Sequence, residues 1–355
     1  MLHAQFNPGR TYAVRLRQAR MRRGWTLNDL AARAGGKVST MALSKYENSL
    51  ISPSPEVLAV LSQALELPAE FFSKEVSRHN YTALFNFGPA FLHRDGPEQR
   101  YAAEEYFARH AELDDLLGAP EAKPLWKGPQ GVNIYTKTEE CVEEARQAMG
   151  QGRGAIDSMA GLLERLGILV WLYEGPDTFE GAAGTCGPRL VVVLNKSLSR
   201  GTVRLRAAKE FAYMVWERGL AEFPIKEWPS LCDKLARSLL MPREDFRDML
   251  GARRRHVAMQ EIRALAGYYG VTGEAVIARA VDLECLAEST AMRMRLAWIK
   301  SMKESGEVES LYAEEPRRFE LLLRRAMAEK LIPEEKILEL AEGLVPKLNE
   351  QEILK

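Results

Sequence analysis

Residues 25–49 read WTLNDLAARAGGKVSTMALSKYENS. Thr26 can cap a helix over Leu27–Ala34, because its hydroxyl accepts a bond from a free amide of the first turn. Gly35 and Gly36 then break the chain. Ser39 can cap a second helix, about Thr40–Asn48. A helix, a short glycine turn and a second helix make the order of a helix-turn-helix. The spacing closes the two helices on each other through Ala31, Val38, Leu43 and Tyr46. It leaves Thr40, Met41, Ser44 and Lys45 on the other face of the second helix.

The same punctuation continues on both sides. Tyr12–Arg22 carries apolar residues at helical spacing and Gly24 stops it. Pro53 and Pro55 bracket the start of a helix over Glu56–Leu65, and Pro68-Ala-Glu-Phe-Phe suits a final short turn. Residues 74–135 are less regular. Tyr101–Leu117 is helix-like, and Gly118–Gly131 reads as a linker. Two helices are expected between Thr136 and Leu166, with Gly150–Gly154 between them. Then the period changes. Ile168–Tyr173 and Leu190–Leu194 are β-rich runs and read as strands. Thr202–Arg218 and Pro229–Leu240 are helical, and everything beyond Arg243 looks helical, with a turn-prone stretch at Lys303–Glu307. Trp298, Met292 and Met294 read as core, and Phe319–Ile332 and Glu335–Leu344 as amphipathic tail helices that suit either a dimer contact or a cap. The expected class is mainly α with a small β-sheet (α+β). The expected domains are an all-α head over 1–75, a helical connector over 76–135, an α+β domain over 136–286 and a helical extension over 287–355.

The chain has 355 residues, which suits two or three domains. Lys+Arg and Asp+Glu are both 49, which excludes a uniformly basic nucleic-acid coat. Locally the balance differs. Arg10, Arg15, Arg17, Arg20, Arg22, Arg23, Arg33, Lys37 and Lys45 face a single acid, Asp29, between positions 10 and 45. Such an excess suits a polyphosphate partner, since each neutralised phosphate releases counterions. Cys141, Cys186, Cys232 and Cys285 form no CxxC pair, which argues against a zinc ribbon or a disulfide scaffold. The histidines (His3, His79, His93, His110, His256) show no HxxxH or HxH spacing. No metal or cofactor is expected. No run of about 18 apolar residues exists, and the start MLHAQFNPGR lacks an apolar signal core. A soluble cytoplasmic protein with reduced thiols, and no membrane partner, is expected.

The head resembles the Cro-repressor-type (XRE) family. Gly24, Thr26, Leu30, Ala31, Val38, Ser39, Leu43, Ser44, Glu47, Asn48 and Pro53 stand in places matching its pattern over about 60 residues. The family's frequent Gln at the start of the first motif helix is Leu27 here. The resemblance implies binding of double-stranded DNA as a homodimer, with Thr40, Met41, Ser44 and Lys45 meeting base edges in the major groove. Lys45 can donate to guanine O6 or N7, Thr40 can bond either base type and Met41 can touch a thymine methyl. Ser39 and Asn48 are then phosphate contacts.

A second resemblance covers residues 136–286. LVVVLN at 190–195, AKEFAY at 208–213 and SLLMP at 238–242 are similar to the ImmA/IrrE family of zincin-like metallopeptidases, as are the flanks 138–167 and 259–286. In that family a helical HExxH supplies two imidazoles to one zinc and a glutamate general base. Here Lys209 and Tyr213 stand at the two histidine places, and Glu210 stands at the base. The third-ligand place falls near Leu231, with Asp233 two residues off. The resemblance therefore implies vestigial positions, no catalytic residue and no metal. The combined expectation is a transcriptional regulator, not an enzyme, whose degenerate peptidase-like domain serves sensing, docking or dimerisation, open to a small-molecule or protein effector. Two alternatives stand beside it: an active metal-dependent peptidase that cleaves a partner repressor, and an antitoxin-like autorepressor.

Overall fold

The structure, a computed structural model, describes residues 12–13, 15–17, 19–20, 23, 25–72, 83–87, 97–118, 136–187, 189–216, 227–305 and 314–341. They fall into two compact units. One holds residues 12–72 and the helix Pro97–Leu116. The other holds residues 84–87 and everything described from residue 136 onward.

In the first unit, the described residues between 12 and 20 are helical. Then come α1 (Leu27–Arg33), α2 (Thr40–Glu47), α3 (Pro55–Leu65) and a 3-10 turn, Ala69–Phe72. Each start has a local cause. Thr26 and Asp29 form a capping box: the Thr26 amide donates to Asp29 at 2.8 Å, and the Asp29 amide donates back to Thr26 Oγ1 at 3.1 Å. Ser39 accepts from the Ala42 amide at 3.2 Å, and Ser54 caps α3 ahead of Pro55. Ser49, at φ 58°, closes α2 in the left-handed conformation, and the Leu50 amide donates back to the Lys45 carbonyl. Leu16, Leu30, Val38, Leu43, Tyr46, Leu61, Leu65 and Phe72 form the core. Ala31, expected in that core, is only half-buried against it. Helix register turns Leu30 and Ala34 inward instead. The helix expected over Tyr101–Leu117 is α4 (Pro97–Leu116).

The second unit is built on a four-stranded sheet in the order β1-β3-β4-β2. The strands are β1 (Ala83–Phe87), β2 (Leu169–Tyr173), β3 (Gly181–Cys186) and β4 (Arg189–Asn195). β2 pairs parallel with β4, Val170 opposite Val192, and β3 pairs antiparallel with β4, Ala183 opposite Val192. The two expected strands are β2 and β4; β1 and β3 are additional. The helices are α5 (Thr138–Ala148), α6 (Met159–Arg165), α7 (Arg200–Trp216), α8 (Trp228–Leu240), α9 (Arg243–Leu250), α10 (Met259–Tyr269), α11 (Gly273–Asp282), α12 (Glu288–Ser305), α13 (Arg318–Ala328) and α14 (Glu334–Ala341). α12 runs through Lys303, where a turn was expected. The protein is therefore mostly helical with one small sheet, as the composition of its segments suggested.

α7 lies on β3 and β4 and against α8. Met294 and Trp298 of α12 are buried, but Met292 is 65% exposed. Its expected place in the core is incorrect, because one residue past Ala291 the helix has turned about 100° away from the Ala291-Met294-Trp298 face. Trp298 packs on the start of α11. A Cβ at Gly273 would lie 2.5 Å from Trp298 Cε2 and Cη2, and Arg263 covers the same ring at 5.2 Å. Only glycine allows that approach.

Gly273→Ala is expected to destabilise the second unit by about 1–3 kcal/mol, the usual cost of overpacking. Gly273→Ala combined with Trp298→Phe, which trims the clashing ring, is expected to lose less than the two single changes added together. Urea titrations of the four proteins check this; simple additivity would remove the steric explanation.

Candidate functional site

α2 presents two faces. Leu43 and Tyr46 are buried, while Met41 is 69% exposed and Lys45 and Asn48 are also exposed. Thr40 and Ser44 are half-buried. At 3.6 residues per turn, positions 40, 41, 44, 45 and 48 fall within an arc of about 140°. The arrangement brings Thr40, Met41, Ser44, Lys45 and Asn48 together on one outward surface. Ser39 is exposed at the N-terminus of the helix, where its hydroxyl accepts the cap bond. Asn48 closes the other end, donating Nδ2–H to the Ser44 carbonyl at 2.8 Å.

The nine basic side chains of the head divide by role. Arg20 donates to both carboxylate oxygens of Glu47, at 2.6 and 2.8 Å, and to the Trp25 carbonyl at 2.6 Å. Arg23 donates to the Leu65 carbonyl and lies 5.2 Å from the Trp25 ring centre. Arg33 covers the same ring at 4.3 Å, and Arg15 lies 5.4 Å from the centre of Phe71. Arg17, Lys37 and Lys45 are exposed. Lys37 and Lys45 make no ion pair among the described residues. Arg10 and Arg22 lie outside the described residues. Charge counting had missed the Glu47 clamp. The available signal was a lone acid at the end of the second motif helix, opposite a basic first helix.

In the second unit, Lys209, Glu210 and Tyr213 all belong to α7. Lys209 Nζ pairs with Asp233 of α8 at 2.5 Å. Glu210 is fully buried and pairs with Arg206 one turn earlier. Arg206 also donates to the Gly181 carbonyl at 2.8 Å and pairs with Glu180 at 3.2 Å. Burial pushes the Glu210 carboxyl up to about 7 against the pull of Arg206. Tyr213 is buried edge-on to Trp228 at 6.2 Å, and burial raises its hydroxyl well above the usual range. Leu231 is buried in the core. Among the described residues, no group of three or more His, Cys, Asp or Glu side chains could hold a metal ion. Arg206, Lys209 and Asp233 line an open cleft of about 840 Å³, with Thr202, Glu274 and Trp298 on its other walls. No described helix is long and apolar enough to cross a membrane.

Residues 16–72 match the model of a helix-turn-helix family, of the XRE type. This match supports a DNA-binding regulator and covers the whole clamped and capped head. No match was found among curated proteins or among solved structures.

The raised Glu210 carboxyl has a pH signature. Between its ordinary 4.5 and about 7 the folded chain holds a proton that the unfolded chain has released. Stability therefore falls as pH rises through that window and levels off above it. At about 1.4 kcal/mol per pH unit, the loss is roughly 3 kcal/mol. Glu210→Gln is expected to flatten this component, so the gap in denaturant midpoint between variant and parent widens from pH 4.5 to 7. An unchanging gap would mean that the carboxylate is stabilised in full by Arg206.

Proposed function

We propose that the chain is a sequence-specific transcriptional regulator that grips duplex DNA through the outward face of α2. The observation that supports this best is the single arc of Thr40, Met41, Ser44, Lys45 and Asn48, on a helix capped at both ends and held by Arg20 and Glu47. Lys45 is an exposed cation with no ion pair among the described residues and can donate to guanine O6 or N7. Met41 offers a methyl-sized apolar contact, and Thr40 and Ser44 offer hydroxyls. Ser39 and Asn48, already engaged at the helix ends, keep a spare lone pair or proton for phosphates and set the register of the helix in the groove. Two heads in a homodimer would read half-sites about one helical turn apart. Selection from randomised duplexes tests the reading. It is expected to recover a two-fold motif, and Lys45→Ala is expected to weaken that site by about 1–3 kcal/mol. Lys45 is exposed and makes no ion pair among the described residues, so equal affinity of parent and variant would exclude α2 as the reading helix.

For the second unit, we propose a peptidase-like scaffold without the metal, serving as a sensing or docking domain and not as an enzyme. The pairing of Lys209 with Asp233 favours this. Side chains at the first histidine place and near the third-ligand place meet across α7 and α8, as the ligands of a zinc site would. The purified chain is expected to carry no stoichiometric zinc or manganese. Lys209→His with Tyr213→His would place two imidazoles at i and i+4 and release Asp233. This double variant is expected to gain one zinc per chain, measured by elemental analysis and by cobalt absorption. A folded double variant that binds no metal would remove the peptidase-like reading.

A further inference from the structure

We propose that the cleft of the second unit binds short zwitterionic peptides that carry an apolar side chain; the inference rests on the sensing role just proposed and supplies its ligand class. At about 840 Å³ the cleft lies within the range of small-ligand sites. Its apolar lining comes from Leu205, Ala275, Ala278, Trp298 and Met302.

The charges inside it are almost all spent. Arg206 is held by Glu180 and Glu210, and Lys209 by Asp233. Arg237 is held by Asp282 through two bonds of 2.7 and 3.1 Å. A polyanion such as a nucleotide would have to break these pairs to find a counter-charge, so the cleft disfavours it. Two lining charges remain without an ion pair among the described residues: Glu274, in the first turn of α11, and Lys303, in the last turn of α12. They are opposite in sign, and both are exposed. They belong to the two helices that meet where Trp298 crosses Gly273.

A ligand complementary to this arrangement has an ammonium for Glu274, a carboxylate for Lys303 and an apolar group for the Trp298 wall. A fatty acid satisfies only the last two. A free amino acid fills little of the space. A peptide gains about 3.3–3.6 Å of reach per residue, so lengths of two to four residues offer a graded series of spacings between the two termini while keeping a side chain for the apolar wall.

Calorimetric titration of the full-length protein with Leu-Leu, Ala-Leu-Ala and Ala-Leu-Leu-Ala tests this. Each peptide is used free, N-acetylated and C-amidated, with leucine and ADP as controls. At least one free peptide is expected to bind, and capping either end is expected to weaken it tenfold or more. Glu274→Gln is expected to abolish the discrimination against the acetylated form, and Lys303→Gln that against the amidated form. Both side chains are exposed, so folding is not at stake. Failure of every free peptide to bind, equal binding of capped forms by the parent, or unchanged discrimination in the variants would overturn the proposal. Operator affinity is measured on the same preparations. Intact DNA binding without peptide binding sinks this inference alone. Peptide binding that leaves operator affinity unchanged upholds the site and removes the sensing role.

Discussion

The placement of α2 depends on one guanidinium. Arg20 reaches from the first helical segment to both oxygens of Glu47 and to the Trp25 carbonyl, and the Arg20 and Glu47 side chains are 10% and 6% exposed. Three acceptors in the plane of one fork suit arginine and no other cation. α2 has eight residues, far fewer than an isolated helix needs to persist in water. Its shape therefore comes from Leu43 and Tyr46 in the core, and its orientation from the pair at its C-terminal end. The pair also removes one positive charge from the count available to phosphates. Arg23 and Arg33 are stacked on Trp25 near the turn before α1, and Arg23 also pairs with Glu66 at 3.4 Å.

The second unit repeats the device with other partners. Arg279, fully buried, donates to both oxygens of Glu139, to Ser238 and to the Met241 carbonyl, joining α5, α8 and α11. Arg204, also fully buried, pairs with Glu314 at 2.5 Å. Glu314 in turn accepts from the Met159 and Ala160 amides at the start of α6. Glu164, at the other end of α6, accepts from the Arg317 and Arg318 amides at the start of α13. Two carboxylates thus each cap a helix from the other segment, where the positive end of the helix dipole favours them. The tail is fastened to α6 through them, and Phe319, Leu323 and Ile337 are buried. Of the two readings open for the tail, a cap on its own domain accounts for these contacts without a second chain.

Much of this was legible in the sequence because it is written in local chemistry. Thr26, Ser39, Ser54 and Thr272 cap helices with their own hydroxyls, so hydroxyl and proline positions mark helix starts. β2 reads Leu-Val-Trp-Leu-Tyr and β4 is centred on Leu-Val-Val-Val-Leu, both of high strand propensity. β3 was hidden. It reads Gly-Ala-Ala-Gly-Thr-Cys, with little strand propensity, because α7 lies so close that a Cβ at Gly181 would meet Arg206 Cγ at 2.8 Å. The packing distance selects small residues there, and propensity cannot report it. The outward arc of α2 followed from spacing alone. The clamp did not, because Arg20 and Glu47 are 27 residues apart and pairing at that range is set by how the helices fold back. Met292 misled for a similar reason: its residue type suits a core, but its helical phase points out.

The pairing of Lys209 with Asp233 bears on what the second unit can do chemically. A metal ion at such a place keeps an open position, where it lowers the pKa of bound water or polarises a carbonyl. An ammonium offers no coordination position, and the charge of Lys209 is met by the Asp233 carboxylate. Beside it Glu210 is fully buried and its carboxyl titrates near neutrality. Sealed in the interior, Glu210 in the proposed reading serves the packing of α7 and not proton abstraction. In the proposed reading, the same substitutions that end hydrolysis leave the cleft walled by neutral ion pairs. Such walls repel neither end of a zwitterion and hold no reactive group against it, which are the properties that reversible binding without turnover requires.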